Sequence, residues 1–127
     1  MVKWNNLDTL TSYQDLFKVK KVRLAEVMSG DKAAERVKTY SVPMAEGLQF
    51  NYAAKQVDAD VLEVLKKLAE EAQLSEKFEA LYNGEVINTG EKRLVLHQLT
   101  RGQLGNAVVA DGVDKRVFYV EQQEKIA

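Results

Sequence analysis

Cysteine is absent from the 127-residue sequence, and histidine and proline occur once each. Without cysteine the chain can form neither a disulfide scaffold nor a thiolate zinc site, and it carries no cysteine nucleophile. A single histidine excludes a multi-histidine metal centre, and no cluster of carboxylates stands out as a replacement. The sequence therefore predicts no metal site.

Long apolar runs and an excess of one charge are also absent. No stretch of about 18 apolar residues occurs, and the first ten residues, MVKWNNLDTL, lack the continuous apolar segment of a signal peptide. Eighteen basic residues against nineteen acidic ones give a net charge of -1, so no positive field is available to hold a phosphate backbone. We predict no membrane partner, no nucleic-acid partner and a cytoplasmic location.

The residues that are present suit a folded domain. Apolar residues make up 46% of the sequence and charged residues 29%, which is enough for a buried core in a chain of this length. No internal repeat and no linker rich in Gly or Ser divides the sequence. We therefore expect residues 1–127 to form a single amino-terminal domain or a fragment of a larger protein.

Apolar periodicity predicts an α-rich α+β fold, with several short helices around one long helix and a small β-hairpin. The long helix is predicted over residues 60–73, because Val61, Leu65 and Leu68 recur at helical spacing. A period of two over residues 48–52 predicts the hairpin, with its turn at residues 44–47. Shorter helices are predicted over residues 7–17, 22–28, 31–40 with Asp31 as N-cap, 75–83 with Ser75 as N-cap, 91–100 ending before Gly102 and Gly105, and 115–127 with Asp114 as N-cap. Residues 108–113 are predicted to form a small strand or an extended turn.

Polar residues with backbone-shaping roles are concentrated in residues 84–101, GEVINTGEKRLVLHQLTR. Gly84 is expected to end one helix, because glycine readily adopts the left-handed conformation found there. Asn88 can hydrogen-bond nearby amides, and Glu91 is expected at the positive end of the next helix. The segment therefore predicts a helix, a polar loop and a second helix.

Arg93, His97 and Arg101 recur every four residues and would share one face of that second helix. One interpretation is an anion site, in which two guanidinium groups and an imidazole face a phosphate or a carboxylate. The other is that Arg93 and His97 anchor the preceding loop, and the nearby charges of Glu85 and Glu91 favour this structural role. On the second interpretation, Arg93→Ala would cost about 1–3 kcal/mol by leaving a buried partner unpaired.

A family resemblance is carried by the same segment. The residues that match, in order and spacing, are Gly84, Glu85, Ile87, Asn88, Glu91, Arg93, Val95, Leu96, His97 and Arg101. Together they resemble the amino-terminal signature of the glucose-6-phosphate isomerase family, from which the chain departs at Gly90, Leu94 and Thr100.

The resemblance implies the amino-terminal part of a larger sugar-isomerase α/β/α protein, a glycolytic enzyme that interconverts glucose 6-phosphate and fructose 6-phosphate without a cofactor. The catalytic Glu and the Gly-rich, Ser/Thr-rich phosphate turn of that family are missing here, so no catalytic or binding residue is assigned and the chain alone is expected to be inactive. The signature residues are expected to be structural, namely Gly84, Glu85, Asn88, Glu91, Arg93, His97 and Arg101. The implied partners are the remaining domains of the enzyme and a second subunit, with sugar phosphate bound only by the full-length protein. The alternative is a stand-alone α-rich interaction module without catalysis.

Overall fold

The computed structural model describes residues 2–101 and 106–127, and it confirms the α-rich α+β fold. The helices are α1 (Thr11–Asp15), α2 (Leu24–Val27), α3 (Asp31–Thr39), α4 (Ala59–Glu71), α5 (Leu74–Tyr82) and α6 (Lys115–Ile126). The strands are β1 (Ser41–Pro43), β2 (Gln49–Asn51), β3 (Val109–Ala110) and β4 (Val113–Asp114). The chain divides into two compact units, Asn6–Glu71 and Met1–Asn5 with Ala72–Ala127. The expected break at Gly102 and Gly105 lies outside the described residues.

In the Asn6–Glu71 unit, α1 packs against α4, and a carboxylate of α4 joins the two helices. Glu71, the last residue of α4, accepts hydrogen bonds from the backbone N–H groups of Thr11 (3.1 Å) and Ser12 (2.8 Å), and from the Ser12 hydroxyl. These donors are the unpaired amides at the start of α1, so the carboxylate serves as a long-range helix cap.

The prediction of one helix over residues 7–17 is wrong. A 3-10 turn, Leu7–Thr9, is separated from α1 by Leu10, whose backbone is extended. Leu10 is buried, whereas Phe17 is 72% exposed. The two apolar residues therefore do not share one packed helix face, although their spacing in the sequence allows it.

The hairpin prediction is confirmed. Strands β1 and β2 pair antiparallel with Val42 opposite Phe50, and a 3-10 turn over Ala45–Gly47 joins them. The prediction that Asp31 caps α3 is wrong, because Gly30 (φ 59°) holds the cap position and Asp31 is already helical.

Arg36 is the buried cation of this unit, with 7% of its surface exposed. Its guanidinium donates to the backbone carbonyls of Ala53 (2.8 Å), Lys55 (3.1 Å) and Val57 (2.6 Å). It also lies 3.9 Å from the centroid of the Tyr40 ring. The side chain thus fixes α3 to the segment that leads from β2 into α4.

In the other unit, α5 begins after Gln73, which adopts a left-handed conformation (φ 53°), so the prediction of Ser75 as N-cap is wrong. Strands β3 and β4 form a two-residue ladder, which confirms the extended turn expected at residues 108–113. Asp114 caps α6 as predicted, because its Oδ1 accepts a hydrogen bond of 2.9 Å from the Arg116 backbone N–H.

The buried core is small for a chain of this size. The largest fully buried side chains are Leu99 and Val108. The chain exposes 9965 Å² of surface at a mass of 14.3 kDa, whereas a folded protein of that mass exposes about 6,800 Å². Even two separate folded proteins of half the mass would together expose only about 8,200 Å². Large exposed apolar side chains include Phe17, Val42, Leu48, Phe50, Phe78, Val109, Val117 and Ile126.

None of the helices in the described part of the chain is long and apolar enough to cross a bilayer.

Candidate functional site

The end of α5 opens the signature segment with a Schellman turn. Gly84 has φ 71°, its N–H donates to the Leu81 carbonyl (3.2 Å), and the Glu85 N–H donates to the Ala80 carbonyl (2.9 Å). A Cβ on Gly84 would lie 2.2 Å from Cγ1 of Val108. Gly84 is therefore required both by its backbone conformation and by close packing, which confirms its predicted place at a helix end.

The helix predicted over residues 91–100 is wrong. Asn88 and Arg93 instead form an isolated antiparallel bridge, in which each backbone N–H donates to the other's carbonyl at 3.3 and 3.2 Å. Lys92 has φ 54°, a conformation that an α-helix cannot contain. The chain therefore makes a tight turn where apolar spacing alone predicted a helix.

Two side chains reinforce this turn. Asn88 Oδ1 accepts from the Glu91 N–H, and Asn88 Nδ2 donates to Glu91 Oε2, both at 3.2 Å. Arg93 lies 3.9 Å from the same carboxylate, but its side chain is 77% exposed. Asn88 and the backbone thus hold the loop, while the Arg93 guanidinium lies at the surface.

A 3-10 turn over His97–Arg101 follows the loop. Leu99, the central residue of this turn, is fully buried. Gln98 Nε2 donates to the Leu81 carbonyl on α5 (2.8 Å), and Gln123 Nε2 on α6 donates to the Thr100 carbonyl (3.1 Å). The turn is therefore fixed to both helices of its unit.

Between α5 and the 3-10 turn lies a cavity of about 330 Å³, which we name the α5 groove. Its lining residues are Phe78, Leu81, Tyr82, Val95, His97, Gln98 and Arg101. The structure thus brings together two members of the predicted cationic set, His97 and Arg101, whereas Arg93 is not among the lining residues.

The lining of the α5 groove includes a cation. Arg101 carries a permanent positive charge, and no acidic residue lines the groove. The ion pairs found within residues 2–101 and 106–127 include neither Arg101 nor His97. The four residues after Arg101 are Gly, Gln, Leu and Gly, so their side chains supply no counter-charge. Gln98 Oε1 is shielded from solvent and has no donor among the described residues.

Arg116 on α6 donates to the last residue of α5 and so helps to hold that helix, and sequence reasoning missed it. It is 6% exposed and donates to the Tyr82 carbonyl (3.0 Å) and to the Asn106 carbonyl. Both acceptors are backbone groups 10 and 34 residues away in sequence, so no residue pattern marks them in advance.

No group of three or more His, Asp or Glu side chains in the described ranges is placed to hold a metal ion.

A family model and several known proteins match this segment. A model of the phosphoglucose isomerase family matches residues 51–126, more than half of the chain, including the α5 groove and the whole signature. The chain belongs to the phosphoglucose isomerase family. Among curated members, the glucose-6-phosphate isomerase of Treponema denticola is 48% identical over 98% of this chain. Those of Treponema pallidum and Borreliella burgdorferi are 38% and 35% identical over 98% and 99% of it.

The chain spans about a quarter of the length of those relatives, namely 25%, 24% and 23% in the same order. The structural elements described above therefore correspond to only a small part of a family member.

Proposed function

We propose that this chain is the amino-terminal region of a glucose-6-phosphate isomerase, which interconverts glucose 6-phosphate and fructose 6-phosphate. The observation that carries the proposal is the 48% identity to a glucose-6-phosphate isomerase over 98% of this chain and only 25% of the relative. Both compact units would belong to this one region, and the cytoplasm is the compartment we propose for a glycolytic enzyme.

The role proposed for the region itself is structural. The family resemblance implies that a Glu moves a proton between C2 and C1 of the sugar, and that a Ser/Thr-rich and Gly-rich turn holds the phosphate. No such Ser/Thr-rich and Gly-rich turn occurs in the 127 residues. The signature residues support a structural role, because Gly84 ends a helix and Asn88 stabilises a turn.

The proposed partners are the remaining domains of the isomerase and a second subunit, with sugar phosphate bound by the assembled enzyme. The large exposed surface supports this proposal. It exceeds the area expected for separate folded units by about 1,700 Å² or more, and a standard protein interface covers about 800 Å² on each partner.

A chimera tests the proposed function. This chain replaces the matching quarter of the Treponema denticola glucose-6-phosphate isomerase, and conversion of glucose 6-phosphate to fructose 6-phosphate is measured. We expect turnover within about tenfold of the parent enzyme. A tenfold lower rate corresponds to an activation free energy that is higher by about 1.4 kcal/mol. The isolated chain is expected to give no turnover above a no-protein control.

The matched control is the Treponema denticola enzyme without its first quarter, which should be inactive. A chimera that is folded and monodisperse but inactive would contradict the proposal. Reading the gene beyond codon 127 gives an independent check. A Gly-rich and Ser/Thr-rich phosphate turn within a few dozen codons agrees with the proposal, whereas a stop codon favours the stand-alone interaction module.

A further inference from the structure

We infer that the α5 groove is the docking site for a segment of the remaining isomerase polypeptide that carries an apolar side chain next to a carboxylate. The inference rests on the proposed function, because it takes the occupant from the part of the enzyme that lies outside this chain. It names the α5 groove as the surface that is bound, and an apolar side chain with a neighbouring carboxylate as the groups that bind it.

The apolar side chains that form the wall of the groove are held in place by the fold and are accessible to solvent. Phe78 and Tyr82 lie one turn apart on α5 with their rings 5.7 Å apart, and they are 57% and 37% exposed. Leu81 and Val95 complete the wall. Hydrogen bonds from Gln98 and Arg116 to backbone carbonyls of α5 hold the helix in place. An occupant therefore finds a preformed apolar surface, which lowers the entropic cost of docking.

The charge of Arg101 selects the occupant's polar group. Arg101 and His97 both line the groove, no acid lines it, and the ion pairs in the described part of the chain do not include Arg101. A carboxylate beside an apolar side chain satisfies both parts of the groove, because guanidinium and carboxylate form strong charge-assisted hydrogen bonds.

The occupant is assigned to the same polypeptide on two grounds. The relatives are about four times as long as this chain, so three quarters of the enzyme lies outside it. The exposed surface exceeds that of separate folded units by an area that an intramolecular interface would cover. A small anion would neutralise Arg101 but would leave the wall of Phe78 and Tyr82 exposed to water.

Cysteine labelling tests the inference cleanly, because the chain has no cysteine of its own. Phe78→Cys is introduced into the isolated chain and into the Treponema denticola chimera, and the rate of thiol alkylation at that position is followed by mass spectrometry. Tyr82→Cys provides a second position on the wall. Glu76→Cys is the matched control, since Glu76 is exposed on the same helix and does not line the groove.

We expect alkylation of Phe78→Cys and Tyr82→Cys to be about tenfold slower in the chimera than in the isolated chain, because labelling then requires local opening. The Glu76→Cys rate should change by less than about threefold. Adding Arg101→Glu to the chimera should restore fast alkylation of Phe78→Cys, because the reversed charge repels the docked carboxylate.

Equal alkylation of Phe78→Cys in the two proteins would overturn the inference. A rise in the melting temperature of the isolated chain on adding acetate or inorganic phosphate, lost in Arg101→Glu, would overturn it in favour of a small anion. Slowing of Phe78→Cys alkylation that grows with chain concentration would overturn it in favour of a second copy. Isomerase activity is read separately: a folded, inactive chimera counts against the proposed function, whereas an active chimera with a reactive Phe78→Cys counts against the groove.

Discussion

Glu71 is a single carboxylate on which the packing of α1 against α4 depends. The Ser12 hydroxyl, the Ser12 N–H and the Thr11 N–H all donate to it, and these hydrogen bonds hold its pKa below the ordinary value of 4.5. Desolvation and the negative charge of Asp15 oppose the shift but do not reverse it. The unfolded chain therefore takes up a proton at Glu71 at a higher pH than the folded chain does.

The stabilisation from Glu71 is fully present above pH 4.5 and is lost as the pH falls through the lower folded-state pKa. We expect Glu71→Gln to lower the urea unfolding midpoint at pH 7, and we expect the difference from wild type to shrink at about pH 3. Glu70→Gln, one residue earlier and exposed, is the control and should leave the midpoint unchanged. A difference that grows on acidification would contradict this interpretation.

Arg36 gives a prediction that does not depend on pH. Its guanidinium satisfies three backbone carbonyls at once, and lysine cannot reproduce that planar arrangement of donors. We expect Arg36→Lys to cost about 2–3 kcal/mol in the free energy of unfolding. Arg23→Lys serves as the control, because Arg23 forms an exposed ion pair with Glu26, and its cost should stay under about 1 kcal/mol.

Gly84 can be compared with another glycine of similar positive φ. Gly84→Ala should cost about 2–4 kcal/mol, because left-handed strain adds to a clash with the buried Val108 side chain. Gly47 has φ 73° and nothing within 4 Å of the position of a Cβ. Gly47→Ala should therefore cost only about 1–2 kcal/mol, from strain alone. Similar unfolding midpoints for the two variants would show that the contact with Val108 is unimportant.

The loop that carries Asn88 and Arg93 is held by the Asn88 side chain rather than by the exposed Arg93. Asn88→Ala removes two side-chain hydrogen bonds that close the turn and should cost about 1 kcal/mol. Arg93→Ala should cost less than about 0.5 kcal/mol, because the ion pair with Glu91 is long and exposed. Chemical denaturation of the two variants measures this order, and a larger loss for Arg93→Ala would restore the anchoring role expected from the sequence.

Elements whose apolar residues repeat regularly along the sequence could be predicted from it. Helix α4 repeats its apolar stripe over three turns, and the β1–β2 hairpin alternates on both sides of a turn. The helix expected at residues 91–100 rested on three apolar residues, and the 3-10 turn that forms instead leaves Leu99 fully buried. Arg36 and Arg116 could not be predicted, because backbone carbonyls accept their hydrogen bonds and carry no sequence signature. The α5 groove depends on the same unpredicted turn.

The exposed apolar side chains determine how the isolated chain behaves in solution. We expect a helical circular dichroism spectrum together with concentration-dependent self-association, because apolar patches of this kind promote association. Phe17→Lys combined with Ile126→Lys should reduce self-association in sedimentation experiments with little change in stability, since these side chains are 72% and 86% exposed. Lys18→Ala, a surface change that leaves the apolar side chains in place, is the control and should have no such effect.

The contrast between Arg36 and Glu71 also determines how the Asn6–Glu71 unit opens in acid. Arginine stays protonated throughout the accessible pH range, so the attachment of α3 to residues 53–57 persists when the carboxylate that caps α1 is neutralised. Acid below pH 4.5 should therefore produce sub-global opening rather than uniform loosening. In hydrogen exchange, the amides of α1 would lose protection first, while those of Tyr52 and Lys55 would keep it until the unit unfolds as a whole.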